Sequence, residues 1–312
     1  MQNKGTVELT SGPLVNLRAL PSDTCEVVSI DLASLVSLHP DDIVKHVSAC
    51  TSLRKLNLNQ TRLGDNDLRM LAGLKNLTTL SLAEVSISDK GLKHLVSLSK
   101  LQSLDLTRTH VTGTGLADLA GATDLTHLQL SYAPIKADQL VNLAAFAQLR
   151  TLELSAASAT ASNIDDGALA HLEKLPGLKV VGLRSARITD AGLDSLAKLK
   201  DLEVLDLEGI PLTDAGIEKL ADLARLYRIS LNRTSVTDGV TTTLAKIKTL
   251  RSIALKQTGV SASSIDTLQA ALGPQCEIAR PTVREPQRTG GDFGTIGQAT
   301  GLGPRVPPGP QQ

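Results

Sequence analysis

The side chains that could do chemistry are scattered along these 312 residues rather than gathered. The histidines, His39, His46, His94, His110, His127 and His171, make no HxxxH pair, the spacing that turns two imidazoles toward one metal on a helix. His94 and His171 share a recurring helix position that is expected to be solvated. Cys25, Cys50 and Cys276 make no CxxC, so no metal site and no cofactor are expected. Cys50 reads as a small core hydrophobe near a helix end. No nucleophile motif accompanies a Ser/His/Asp set. Asp292-Phe293-Gly294 stands without any other kinase element, and no GK[ST] follows the C-terminal glycines. The best carboxylates for acid/base work, Glu153 and Asp206, fall on elements two strands apart, roughly 10 Å, on an open surface without the burial that tunes such pairs. The expectation is a protein that binds rather than catalyses.

What positions these residues is a repeat. Counting Leu202 as position 1, LEVLDLEGIPLTDAGIEKLADLAR places Leu202, Leu205, Leu207, Leu212, Ile217, Leu220 and Leu223 at positions 1, 4, 6, 11, 16, 19 and 22. Leu205 and Leu207 alternate as a strand with one buried face, whereas Ile217, Leu220 and Ala221 are spaced i, i+3, i+4 as on one side of a helix. Thr213-Asp214, like Thr189-Asp190 in the preceding unit, falls where a helix N-cap belongs. The register recurs every 24 residues from Leu53, Leu77, Leu101 and Leu125, then from Leu178, Leu202, Leu226 and Leu250. The unit from Leu149 is five residues longer, the extra length lying in Ala156 to Asp165 and expected as a small polar protrusion. A unit this short cannot bury a strand face and a helix face alone, so neighbours must stack.

LxxLxL followed by (I/V)(T/S)DxGLxxLA resembles leucine-rich repeats, most closely the F-box-type, cysteine-containing-like subclass and related bacterial proteins. The resemblance covers residues 27 to 273. It implies an α/β right-handed leucine-rich-repeat solenoid, a horseshoe with a parallel β-sheet on the concave face and short helices on the convex face. At position 9, where that subclass carries Cys or Asn, this chain has Thr61, Thr109, Thr234 and Thr258, with Val85, Ala133, Ala157, Ala186 and Ile210 elsewhere. A buried amide ladder is therefore absent. The domain organisation read from the pattern is an N-terminal cap at 1–26, an array of about ten repeats at 27–280 with its long repeat at 149–177, and a Gly/Pro-rich tail at 281–312 expected to be disordered.

In each strand, positions 3, 5, 7 and 8 should point away from the core, and nothing about packing selects them. The candidate partner-binding residues are Asn57, Asn59, Glu84, Asp105, Arg108, His127, Gln129, Tyr132, Glu153, Arg184, Asp206, Glu208, Arg228, Arg233 and Lys256. Asp105, Glu153 and Asp206 form a position-5 carboxylate column flanked by arginines and lysine at positions 7 and 8, and mixed charge of this kind suits a protein partner. Tyr132 and Arg108 are the expected central anchors, because aromatics and arginines dominate interface hot spots.

The 32 basic and 32 acidic residues balance, so no net field favours nucleic acid or an anionic membrane. An apolar fraction of 41% with 1% aromatic fits an aliphatic core. With no apolar h-region, no membrane-length apolar run and few cysteines, a cytoplasmic location is expected, with delivery into a host cell left open. The leading function is a non-catalytic scaffold or interaction module that grips a protein partner on its concave face, with no small-molecule substrate. The subclass resemblance also admits the substrate-recognition part of a ubiquitin ligase, or a bacterial effector mimicking one, and the horseshoe architecture admits a GTPase-activating protein.

Overall fold

The computed structural model describes residues 6–9, 12–14, 27–35 and 39–279, the first two stretches as backbone. The expected tail at 281–312 lies outside them, as does most of the expected cap.

One short strand per repeat builds a single open sheet. Its parallel strands are β3 (Val27–Asp31), β4 (Lys55–Asn57), β5 (Thr79–Ser81), β6 (Ser103–Asp105), β7 (His127–Gln129), β8 (Thr151–Glu153), β9 (Val180–Gly182), β10 (Val204–Asp206), β11 (Arg228–Ser230), β12 (Ser252–Ala254) and β13 (Glu277–Ala279), in sequence order. Beyond β3 run two antiparallel strands, β1 (Thr6–Leu9) and β2 (Gly12–Leu14), with β1 paired to β3. The position-4 residues stand in register, Leu56 opposite Leu80 opposite Leu104 opposite Leu128 opposite Leu152. Across the long repeat Leu152 meets Val181, and the ladder then resumes with Leu205 and Ile229.

The repeat leucines form one continuous core, in which Leu202, Leu205, Leu207, Leu212, Ile217, Leu220 and Leu223 are all fully buried. Among the described residues Phe146 is the largest fully buried side chain. The second half of each repeat is mostly a 3₁₀ turn or a very short α-helix, such as Asp67–Gly73 and Asp190–Gly192 running into Leu193–Leu196. Apolar residues at positions 16, 19 and 22 recur every third residue, which matches the three residues per turn of a 3₁₀ helix. Longer α-helices stand toward the ends of the array, Pro40–Val47, Val240–Lys246 and Ala262–Leu272.

The (T/S)D pair holds neighbouring repeats together. Thr189 and Ser88 act as N-caps, accepting from Ala191 and Lys90 N–H. The aspartate reaches instead into the following repeat. Asp190 accepts from Thr213 N–H at 2.9 Å and from its hydroxyl at 2.5 Å, and Asp65, Asp166 and Asp214 do the same for Ser88, Thr189 and Thr237. Asp89 takes four donors, Thr112 N–H at 2.9 Å and hydroxyl at 2.7 Å, Gly113 N–H at 3.1 Å and Gly115 N–H at 2.7 Å. This explains the motif's glycine, since a Cβ on Gly115 would lie 2.8 Å from the Asp89 carbonyl oxygen of the preceding repeat.

Candidate sheet-face binding site

At the end of most parallel strands the chain makes the same sharp turn, the long repeat, with Ala156 in that slot, being an exception. Position 8 adopts the left-handed conformation at Ser34, Gln60, Glu84, Arg108, Tyr132, Ser185, Arg233 and Gln257, with φ between 55° and 62°, and Gly209 takes φ 77° in the same slot. Sequence reasoning placed these residues outward but had no signal for the turn, because glycine, its usual marker, occurs once. Since the conformation recurs along the array, it belongs to the architecture rather than to a reactive site. Position 9 is threonine where it can close this turn: Thr61, Thr109 and Thr234 are buried and donate to the carbonyls of Leu58, Leu106 and Leu231 at 2.7 Å.

Position 5 carries a second device. The side-chain oxygens of Asn57, Asp105 and Asp206 accept the N–H of the residue two further on, Asn59, Thr107 and Glu208, at 2.9 to 3.1 Å. Two members of the expected carboxylate column therefore also shape the backbone.

Several candidate residues meet. Along position 8, the Ser34 hydroxyl donates to Gln60, Gln60 donates to Glu84 at 3.0 Å, and Arg108 pairs with Glu84 at 3.1 Å. The Arg108 guanidinium lies 4.9 Å from the centre of the Tyr132 ring, which is 40% exposed. Farther on, Arg184 reaches Asp206 at 3.4 Å and Glu208 at 3.1 Å, and Arg233 donates to Gln257 at 2.7 Å. Burial holds the Arg184 guanidinium down, but Asp206 and Glu208 outweigh this and raise it above its ordinary value. Asn59 accepts from the Ser81 hydroxyl and Ala83 N–H, both at 2.7 Å. His127, Gln129, Arg228 and Lys256 are exposed and belong to neither cluster.

Glu153 differs from the other carboxylates. The outward position beside it in β9 is Gly182, and the Glu153 carboxylate lies across that gap, where a Cβ would collide with it. Burial, reinforced by Asp206 and only partly relieved by Arg184, pushes its carboxyl above the ordinary glutamate range. Ser155, expected to point outward, is buried instead; it directly precedes the insertion, in which Ala159–Ala161 forms a 3₁₀ turn with Ser158 to Ala161 exposed.

Elsewhere the reactive residue types are quiet. Cys50 is half-buried and donates to His46 O at 3.4 Å, and burial raises the thiols of Cys50 and Cys276 away from the nucleophilic form. His94 is less solvated than its position suggests: its Nε2 is enclosed without a hydrogen-bond partner. Burial, aided by Lys93 and Arg69 against Asp65, favours the neutral ring. No helix among the described residues is long and apolar enough to cross a membrane.

An open parallel sheet with one strand and one short helical turn per repeat is the leucine-rich-repeat fold, and the described residues adopt it. The family model described as Leucine Rich repeat matches residues 49–72 and 97–120. Among solved structures it is similar to an internalin (inlF) of Listeria monocytogenes, with 18% identity and a TM-score of 0.55 over 84% of this chain and 91% of that one. Internalin C2 of the same organism is 22% identical with a TM-score of 0.52, over 77% and 90% of the two chains. The leucine-rich-repeat ectodomain of the Arabidopsis receptor kinase HAESA, in complex with an IDA peptide hormone ligand, is 19% identical with a TM-score of 0.54, over 75% of this chain and 39% of that one. No curated protein matches the sequence.

Proposed function

We propose that the protein is a non-catalytic recognition module that binds a protein partner on the concave, sheet face, with Arg108 and Tyr132 at the centre of the contact. The observation that carries this is the Arg108–Tyr132 stack: an exposed aromatic ring, fixed by its turn and covered by a guanidinium that Glu84 holds in place. Such a pair is ordered before binding, so little rotamer freedom is lost when a partner buries it. The receptor ectodomain that shares the fold is in complex with a peptide, which accords with this use of the architecture.

The test is affinity purification with mass spectrometry on the intact chain, Arg108→Ala, Tyr132→Ala and a control, Val96→Ser, at an exposed residue of the helical half. Both face variants should lose the same set of proteins while keeping the thermal midpoint of the parent. Recovery of those proteins by both variants would remove the reading.

A further inference from the structure

The charge on the sheet face is divided. Strands β8 to β10 present Glu153, Asp206 and Glu208 with one cation among them, Arg184, which already serves Asp206 and Glu208. One and two strands beyond β10, Arg228 and Lys256 are exposed, and among the described residues neither lies within ion-pair distance of a carboxylate. Acidic and basic zones thus lie side by side, joined by one long contact, Arg233 to Glu208 at 3.9 Å.

On the sheet Gly182 stands between Glu153 and Asp206, and the Glu153 carboxylate lies over it. Gly182 contributes no side chain, and beside it Val180 and Val204 pair in register at an outward position that polar residues occupy in most other repeats. A lysine or arginine fits that chemistry: its methylene stem covers the two valines while its charged head meets the carboxylates. Glu153 is short of compensation there, since burial and Asp206 both disfavour its charge and Arg184 only partly offsets them. A cation arriving from a partner supplies what the chain does not.

Spacing fixes the rest of the ligand. From β9 to β11 and β12 is two to three strand separations, about 10 to 14 Å, which an extended chain covers in about three to four residues. We propose, building on the reading of this face as a binding surface, that it recognises an extended protein segment carrying a lysine or arginine and, three or four residues away, an aspartate or glutamate. The basic side chain lies along Val180 and Val204 with its head between the carboxylates of Glu153 and Asp206, and the acidic one meets Arg228, with Lys256 adding its charge from beyond the far end of β12.

The test is selection of a random peptide library displayed on phage against the full chain. Enriched peptides should share the basic–acidic spacing. A Glu153→Gln/Asp206→Asn variant should bind them about tenfold more weakly or worse; the new amide at position 206 still accepts from Glu208 N–H, so the turn is kept. An Arg228→Glu/Lys256→Glu variant, altered only at exposed positions, should select a basic residue where the parent selects an acidic one. Enrichment without the charge pair, no enrichment, or binding indifferent to both variants would overturn the inference. Peptides that lack the pair yet lose binding to Tyr132→Ala would sink this inference and leave the binding face standing, whereas peptides held equally by every face variant would sink both.

Discussion

Replacing Asp89 by alanine tests whether the (T/S)D motif joins repeats rather than merely starting helices. Asp89 accepts four hydrogen bonds from the next repeat, and Asp190 accepts two. A hydrogen bond to a charged group contributes about 1.5–3 kcal/mol when shielded, but both aspartates are partly solvated, which lowers the figure toward about 0.5–1 kcal/mol per bond. Asp89→Ala should then cost about 2–4 kcal/mol and Asp190→Ala about half as much. Burial alone would raise the Asp89 carboxyl, yet its N–H and hydroxyl donors outweigh this and hold it below the ordinary aspartate value. The folded state therefore prefers the ionised form. Its stabilisation is complete above the unfolded value near ~3.9 and is lost as pH falls through the lower folded value. Chemical denaturation of parent and variants between pH 7 and pH 3 reads both effects, and native-state hydrogen exchange shows whether the loss centres on the junction of these two repeats. Equal costs for the two variants, or a gap between parent and Asp89→Ala that widens on acidification, would refute the reasoning.

Glu153 should behave with the opposite sign. Its carboxyl is raised, so the folded state prefers the protonated form; Glu153→Gln should raise the thermal midpoint at neutral pH, and the gain should shrink as pH falls through the raised value. The left-handed turn predicts that Arg108→Val costs about 1–2 kcal/mol more than Arg108→Gly, since a β-branched residue is least tolerated at positive φ; equal denaturation midpoints would count against it. Thr109→Val keeps the volume but removes the buried hydroxyl bond to Leu106 O, and should cost about 1 kcal/mol in the same assay. Gly182→Ala should be less costly in a Glu153→Ala background than alone, because the carboxylate is what the new Cβ would strike; additivity in the double-mutant cycle would refute the contact.

The architecture was legible because it depends on the most repetitive signal in the chain. Leu205 and Leu207 alternate, Ile217 and Leu220 are spaced by three, and stacking leaves their backbone little choice. What the sequence hid is the work done by polar residues whose partners lie a whole repeat away. Asp190 beside a helix start reads as a cap, because local reasoning cannot show that the next Thr213 donates to it. Asp105 and Asp206 read as an outward column, but an aspartate that also accepts its own strand's N–H differs from one that does not only in three dimensions. The position-8 turn was silent because Gln60, Glu84, Arg108 and Tyr132 take φ near 60° without the glycine that would mark it.

The inter-repeat aspartate is missing in the middle of the array, and that place matters for binding. Asp65 and Asp89 join the early repeats, and Asp166, Asp190, Asp214 and Asp238 join the later ones. Between them the slot holds Gly113, with φ 100°, and then Ala137. Backbone contact from Lys136 N–H to Thr112 O at 2.9 Å, and Asn142 donating to Gly113 O at 3.0 Å, replace only part of what a carboxylate supplies at other junctions. The apolar ladder is unbroken there, with Leu104, Leu128 and Leu152 in register, so the weakness lies in the polar fastening rather than in the core. In a stacked array, stability is a sum of repeats and their interfaces, and the least fastened interface opens first. The two junctions concerned flank β7, whose repeat carries Tyr132. Amides at residues 125–149 should therefore exchange faster than those at 202–226, and Gly113→Asp should not reverse this, because the next repeat offers Lys136, whose N–H is already given to Thr112 O, instead of the Thr or Ser whose N–H and hydroxyl hold the carboxylate at other junctions.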